Sequence, residues 1–195
     1  MEHSVANPVK IMADTKRFKV VMRESLSEEG RRVWDKRVQT VNAPTGHFNV
    51  MMNVPALHER VHDLEQFFRT ESSITEQDRE FMTLVIARQA NARFAWGRHE
   101  HRAVERGVPR EQVENVRSLA PLASFPPPYR LMVELARALA GTREPVTEEL
   151  FQRVKSERGE RWTIEAIALA AHYTMVSVLI HGYAVEPRAS DEPTF

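Results

Sequence analysis

Three ionisable side chains near the middle of the chain, Glu80, Arg88 and His99, form a set that is suited to proton transfer. An imidazole titrates near neutral pH, so it can accept and donate a proton. A carboxylate beside it can orient the ring or carry a second proton, and a guanidinium binds a substrate carboxylate. If the three meet in one cleft, we predict proton transfer on a small anionic substrate. Spacing alone equally allows a packed or solvated histidine with ordinary surface charges.

Two consecutive helices are predicted to position these side chains. Thr75 has the pattern of a helix start, because its hydroxyl can cap free backbone N–H groups and acidic residues follow it. The buried face of this helix is predicted to carry three apolar residues at helical spacing, Phe81, Leu84 and Val85. Arg88 is the next position on that face. After a short joint at 91–93, a second helix carries His99 and ends at Gly107.

A competing motif lies earlier in the chain, where His58, Glu59 and His62 fit the pattern H-E-x-x-H. In this pattern two histidines one helical turn apart bind zinc, and the glutamate activates a water molecule for hydrolysis. The motif lies beside Arg60 and Asp63 on what we interpret as a solvated helix face, and no third ligand is evident. A zinc-dependent hydrolase therefore stays as an alternative, as does a non-catalytic binding protein.

The rest of the chain predicts an all-α fold, because helical patterns recur and no stretch alternates like a β-strand. We expect a single-domain bundle of about seven or eight helices over 17–187. A flexible arm over 1–16 and a flexible tail over 188–195 would flank it. The helix that begins at Pro55 is predicted to bury one apolar face: Leu57, Val61, Leu64 and Phe68.

The last predicted helix, which Thr163 caps, is apolar nearly all round. We interpret it as too short and too often interrupted by Glu165, His172 and His181 to span a bilayer, and therefore as the central buried helix. His172 is predicted to pack in the core with a satisfied hydrogen bond. Such extensive apolar surface favours association of subunits through helix faces.

Composition narrows the function classes. The 195 residues contain 27 basic and 27 acidic side chains, and this balance argues against binding to nucleic acid or to anionic membranes. The chain contains no cysteine, which suits a reducing cytoplasm. The first residues lack the apolar core of a signal peptide. We therefore expect a cytoplasmic protein.

The pair Arg79-Glu80, the stretch Phe94-Ala95-Trp96-x-x-His99 and the ending Gly107-Val108 resemble the carboxymuconolactone decarboxylase family. That family shares its fold with alkyl-hydroperoxidase D. The resemblance implies a cofactor-free lyase or isomerase that acts on a small carboxylated lactone or related organic acid, in the catabolism of aromatic or organic acids. It also implies a homo-oligomer, that is a dimer, trimer or hexamer.

The peroxidase branch of this fold carries a Cys-x-x-Cys pair between the glutamate and the histidine. The corresponding positions here are Ala92 and Ala95, and no cysteine occurs elsewhere in the chain. Thiol-based peroxide reduction requires a thiolate and a resolving thiol, so a peroxidase of that type is excluded. Many members of the decarboxylase branch carry a glutamate where this chain has Ala95, so that second carboxylate is also missing.

The residue pattern and the resemblance together assign roles to individual residues. His99 is the candidate general acid/base and Glu80 its orienting partner. Five further residues are candidates for substrate binding: Arg88 as the carboxylate anchor, Phe94 and Trp96 as pocket walls, Tyr173 as an aromatic contact, and Asn49 as a hydrogen-bond donor. Asn49 is preceded by Gly46 and Phe48, as in the family's Gly-x-Phe-Asn, although an asparagine after a loop also serves as a helix cap.

Overall fold

The computed structural model of the chain describes residues 15, 17–141, 145–187 and 195. Nine α-helices lie in this described part, so the predicted all-α fold is confirmed, with one or two more helices than expected. Apart from an isolated β-bridge between Thr15 and Val185, these residues contain no strand. In chain order the helices are α1 (Glu28–Thr40), α2 (His47–Met51), α3 (Pro55–Thr70), α4 (Glu76–Gln89), α5 (Arg93–Glu105), α6 (Arg110–Arg117), α7 (Pro127–Gly141), α8 (Glu148–Arg158) and α9 (Glu160–Tyr183).

Helix α4 lies at the centre of the bundle. It begins as predicted, because the Thr75 hydroxyl accepts a hydrogen bond from the backbone N–H of Asp78 at 3.1 Å. Neighbouring helices α5, α6, α7 and α9 pack around it, and every residue from Asp78 to Ala87 is buried. The prediction of a single buried face was therefore too narrow, since a helix surrounded on several sides buries its polar positions too.

A tight connection folds α5 back along α4. Asn91 adopts a left-handed backbone conformation with φ of 51°, which an asparagine tolerates better than most residues. The backbone N–H of Ala92 then bonds to the carbonyl of Ala87 at 2.8 Å and closes the end of α4. Because α5 starts at Arg93, its first two turns lie against the middle of α4.

Only half of the predicted apolar face of α3 is buried. Val61 and Phe68 face the core, whereas Leu57 and Leu64 are 42% and 40% exposed. The buried side of α3 also carries His58, His62 and Glu65. The buried face is therefore rotated about the helix axis relative to the predicted apolar face. The buried side of α3 therefore contains polar as well as apolar side chains.

Helix α9 has 24 residues and begins at Glu160, so the predicted cap Thr163 lies inside its first turn instead. Among the described residues it is the one helix that is long and apolar enough to cross a membrane by length and composition. More than half of its most apolar window, 56%, is buried inside the bundle, and α9 packs against α4, α7 and α8. Its place in the core therefore explains the apolar character of its buried side.

The predicted arm and tail lie almost entirely outside the described residues. Of 1–16 only Thr15 is described, and of 188–195 only Phe195. Thr15 pairs with Val185 at the end of α9, and the ring of Phe195 packs against Trp96.

Candidate active site

Glu80 and His99 are joined by a short hydrogen bond inside the bundle. Nδ1 of His99 lies 2.6 Å from Oε2 of Glu80, which is only 2% exposed. The other carboxylate oxygen accepts a bond from the guanidinium of Arg79 at 3.2 Å, and Arg79 is itself anchored to the carbonyl of Phe68. Both oxygens of Glu80 are therefore held in place by side chains that are themselves buried.

The charge of Glu80 fixes the proton on the histidine ring. Burial alone would raise the pKa of Glu80, but the charge and hydrogen bond of His99, supported by two neighbouring guanidiniums, outweigh burial and lower this pKa to about 2. An ionised carboxylate can only accept hydrogen bonds, so Nδ1 of His99 must carry the proton. The opposite nitrogen, Nε2, has no hydrogen-bond partner among the described residues, and His99 lines a cavity.

This cavity has a volume of about 200 Å³ and lies where α1, α2, α3 and α5 meet. Its walls are strongly basic, since four guanidiniums and one carboxylate line it: Arg37, Arg69, Arg98, Arg102 and Glu65. Aromatic rings of Phe48 and Phe94 form its apolar part. A cavity of this charge and size fits a small organic anion.

Arg102 is the guanidinium best placed to bind such an anion. It lies one helical turn beyond His99 on α5, and its guanidinium makes no hydrogen bond or ion pair with any residue that the structure describes. Burial is the largest cause that lowers the pKa of Arg102 from its ordinary value, and repulsion from Arg98 is the second. The charge of Glu80 opposes this decrease only in part. An anion bound beside Arg102 would add further negative charge and stabilise its charged form.

Glu65 supplies a buried carboxylate to the opposite wall. It accepts hydrogen bonds from Arg69 at 2.9 Å and from Arg37 at 3.3 Å. Burial would raise the pKa of Glu65, but the two guanidiniums outweigh burial and lower it to about 2. Glu65 therefore stays ionised and fixes the two arginines at the cavity wall. Glu65 was not among the residues predicted for the site, although Glu65 and Arg69 have the four-residue spacing of a helical ion pair.

Of the predicted substrate contacts, Phe94 lines the cavity and Tyr173 packs edge-on against the His99 ring at 5.4 Å. Arg88 does not reach the cavity. Its Nε donates a hydrogen bond to the carbonyl of Arg117 at 2.7 Å, and its guanidinium lies over the ring of Phe195. The physical reason is distance, since eight residues of helix place Arg88 roughly 12 Å along the axis from Glu80.

Trp96 also faces away from the cavity. Its indole nitrogen donates a hydrogen bond to Glu100 at 2.8 Å, and the guanidinium of Arg117 lies over its ring. Beside it, α5 and α6 border a larger groove of about 580 Å³, which Glu100 and Arg117 line. His99 lines the smaller cavity and not this groove, so the smaller cavity is the candidate active site.

Asn49 serves the backbone rather than the cavity. Its side-chain oxygen accepts a hydrogen bond from the N–H of Val21, and its amide donates to the carbonyl of the same residue, both at 2.9 Å. The side chain thereby fastens the segment before α1 to α2. The predicted role as a substrate contact is not supported by this position.

The H-E-x-x-H segment is not arranged as a zinc site. His58 and His62 are buried, at 0% and 1% exposure, so the predicted solvated face was wrong for both. Nδ1 of His58 contacts the carbonyl of Phe48, and both ring nitrogens of His62 have protein partners. Glu59 points outward and pairs with basic side chains of α1. In the described part of the chain, no three potential ligands converge on a metal position.

The bundle has the all-α fold of alkylhydroperoxidase D-like proteins, which solved structures share. An uncharacterized peroxidase-related protein from Ralstonia eutropha JMP134, described as an alkylhydroperoxidase AhpD core, superposes with a TM-score of 0.72 at 14% identity, covering 90% of this chain and 93% of that chain. A cysteine-to-alanine variant of the debrominase Bmp8, in complex with 2,3,4-tribromopyrrole, gives a TM-score of 0.73 at 16% identity over 91% of this chain and 96% of that chain.

A second uncharacterized peroxidase-related protein, from Silicibacter sp. TM1040, gives a TM-score of 0.70 at 14% identity, covering 91% of this chain and 94% of that chain. No protein-family profile and no curated protein matches the sequence. At such low identities the similarity establishes the fold, and the chemistry has to be argued from the residues of the site.

Proposed function

We propose that this protein is an enzyme that transfers protons on a small organic anion without a cofactor. The observation that carries this proposal is the contact between Glu80 and His99 at the wall of an arginine-lined cavity. The finer activity we propose is that of a lyase or isomerase on a small carboxylated lactone or related organic acid, as in the carboxymuconolactone decarboxylase family that the sequence resembles.

The proposed chemistry requires one proton-transfer group and one charged partner. In a decarboxylation, the electron pair of the breaking C–C bond passes into the conjugated system of the substrate and onto a carbonyl oxygen as carbon dioxide leaves. Protonated His99 then delivers the Nε2 proton to carbon and recovers a proton from water. In an isomerisation, neutral His99 removes a proton from one carbon and returns it to another. In both cases Glu80 stabilises the imidazolium.

Arg102 replaces Arg88 as the proposed carboxylate anchor. It lies on the same helix as His99, lines the cavity and lacks an ion-pair partner among the described residues. A carboxylate bound there would hold the substrate beside the imidazole that transfers the proton, and such proximity favours the reaction. Arg69, held by Glu65, supplies further positive charge from α3.

The structural relatives support a role in small-molecule chemistry but not the same reaction. The debrominase variant was solved with a small halogenated pyrrole, so the fold is able to hold a compact ring. Peroxidase chemistry that depends on paired thiols has no counterpart here, because Ala92 and Ala95 stand at the corresponding positions. Proton transfer by Glu80 and His99 requires no thiol.

A panel of carboxylated γ-lactones and unsaturated organic acids tests the proposal. Turnover is followed by release of carbon dioxide and by proton NMR in D2O, which detects isomerisation and exchange. We expect His99→Ala to reduce turnover by a factor on the order of 10² to 10⁴. His101→Ala is the matched control, because His101 lies exposed on the same helix and does not line this cavity. Equal turnover in wild type and His99→Ala would overturn the assignment.

We also propose that the protein forms a homo-oligomer. Helix α9 leaves apolar side chains in solvent, with Ile164 and Val178 exposed by 62% and 64%. Exposed apolar residues on one helix favour burial against another subunit. Light scattering coupled to size-exclusion chromatography gives the molar mass, and a mass of about one 22.5 kDa chain would contradict the proposal.

A further inference from the structure

His47 is a cavity residue that the proposed reaction does not yet use. It is the first residue of α2 and lines the cavity together with His99 and Arg102. Its side chain is buried, and neither Nδ1 nor Nε2 has a hydrogen-bond partner in the described part of the chain. Buried polar groups are nearly always paired, so an imidazole with two unpaired nitrogens beside a binding cavity points to a missing partner.

The surroundings of His47 hold its ring in an apolar frame. The ring packs against Phe48 at 4.5 Å and meets Phe94 edge-on at 6.2 Å between ring centres. Burial lowers the pKa of His47 to about 3, and the neighbouring Arg37 acts in the same direction. The ring is therefore neutral at physiological pH. A neutral imidazole offers one N–H donor and one acceptor nitrogen.

His47 and the arginines are suited to different groups of the substrate, because the ring is neutral and the guanidiniums are charged. An anionic group of the substrate gains more from the guanidiniums of Arg102 and Arg69 than from a neutral ring. What the ring offers is a hydrogen bond in a water-poor environment, where such bonds are electrostatically stronger. Neutral imidazoles are effective at polarising a carbonyl oxygen, because they donate a hydrogen bond without giving up the proton.

We infer that His47 is a second catalytic residue, whose ring N–H donates a hydrogen bond to a carbonyl oxygen of the substrate. The inference rests on the proposed function, because it concerns the same cavity and the same reaction. As a C–C or C–H bond breaks, its electron pair moves into the conjugated system and the carbonyl oxygen gains negative charge. His47 stabilises that oxygen and keeps its proton throughout, while His99 carries the proton that moves.

The substrate class that follows carries a carboxylate and, within the length of a 200 Å³ cavity, a ketone or lactone carbonyl. Two acids of nearly equal shape probe this requirement. The first, 4-oxopentanoate, has both groups, whereas 4-methylpentanoate replaces the carbonyl oxygen with a methyl group. Dissociation constants are measured by calorimetry for wild type, His47→Phe, His47→Gln and Arg102→Gln.

We expect wild type to bind 4-oxopentanoate roughly tenfold more tightly than 4-methylpentanoate, as one hydrogen bond in a dry site predicts. His47→Phe should remove this preference without weakening the binding of 4-methylpentanoate, and His47→Gln, which keeps a donor, should retain part of it. Arg102→Gln should weaken both acids equally. A preference that survives in His47→Phe, or no preference in wild type, would overturn the role of His47 and leave the proposed function standing.

Failure of the proposed function has a different signature. If wild type binds neither acid, or if Arg102→Gln binds both as tightly as wild type, the carboxylate-binding cavity itself is wrong. A further measurement uses wild type alone and therefore does not depend on whether the variants fold. The carbonyl carbon of 13C-labelled 4-oxopentanoate should move downfield on binding if it accepts a hydrogen bond, and an unshifted signal in the bound acid would exclude the contact.

Discussion

The ring of Phe94 fills the space into which a side chain at Gly46 would project. A Cβ built on Gly46 would overlap the edge of that ring, and the backbone of Gly46 is in the left-handed region with φ of 56°. Phe94 lines the cavity, and Gly46 immediately precedes His47. This one close approach therefore sets the position of two cavity residues.

Gly46→Ala is expected to damage both stability and binding. The new methyl group must displace the Phe94 ring. In addition, the backbone conformation at position 46 costs about 1 kcal/mol or more for residues with a side chain. Thermal unfolding should occur several degrees below wild type. Gly182→Ala is the matched control, because a Cβ there meets nothing within 4 Å and alanine favours helix. Equal melting temperatures of the two variants would show that the close approach of Gly46 to Phe94 does not affect stability.

Glu80→Gln tests the charge beside His99 while keeping the size of the side chain. The amide no longer stabilises an imidazolium, so we expect turnover on an active organic acid to fall by about a hundredfold or more. Removing the carboxylate also leaves Arg79 without its buried partner, which should lower the free energy of unfolding by about 1 to 3 kcal/mol. Steady-state kinetics and urea unfolding measure the two effects.

A second carboxylate serves as the comparison for that variant. Glu100 lies on the same helix as His99 but bonds to Trp96 and Arg117, away from the cavity. Glu100→Gln should therefore leave turnover within about twofold of wild type, an estimate based on its distance from the reacting atoms. Equal losses in the two variants would show that the contact between Glu80 and His99 is not what supports turnover.

The choice of carboxylate anchor is tested by two arginine variants. Arg102→Gln should raise KM for an organic acid by about tenfold to a hundredfold, because a charge-assisted hydrogen bond contributes roughly 1.5 to 3 kcal/mol. Arg88→Gln should leave KM unchanged, since Arg88 bonds to a backbone carbonyl outside the cavity. The opposite ranking of KM values would restore Arg88 as the anchor.

Local signals in the sequence were sufficient for the fold and for one contact of the site. Capping by Thr75 and the stop at Asn91 follow from side-chain and backbone preferences that a short segment contains. Because the connection between α4 and α5 is short, the two helices had to run antiparallel, and this brings Glu80 beside His99. The sequence interval between them determines the contact almost by itself.

The other walls of the cavity could not be predicted in the same way. Glu65 and Arg37 come from α3 and α1, whose packing depends on contacts between residues far apart in the sequence. The apolar stripe of α3 suggested burial of Leu57, but the helix buries His58 instead, and Nδ1 of His58 contacts the carbonyl of Phe48 on α2. Arg102, by contrast, was within reach, since it lies three residues after His99 on one helix face.

Three buried histidines should make the protein sensitive to acid. Burial is the largest cause that lowers the pKa of His58 and of His172 to about 4, and that of His47 to about 3. An unfolded histidine has a pKa near 6.5, so at pH values below about 6.5 the unfolded chain binds protons that the folded chain refuses. These three histidines therefore leave the free energy of unfolding unchanged above that pH, and they lower it as the pH falls toward about 4.

His172→Phe should reduce this acid sensitivity. Between the unfolded pKa near 6.5 and pH 5 lie about 1.5 pH units, and each unit costs about 1.4 kcal/mol of unfolding free energy per buried histidine. Replacing one such histidine therefore removes about 2 kcal/mol of the stability that is lost between pH 7 and pH 5. Glu65 and Glu80 do not interfere, because their pKa values near 2 affect stability only below about pH 4.5. Urea unfolding at the two pH values measures the difference. His101→Gln, an exposed histidine, should behave as wild type, and an unchanged pH effect in His172→Phe would refute burial as the cause.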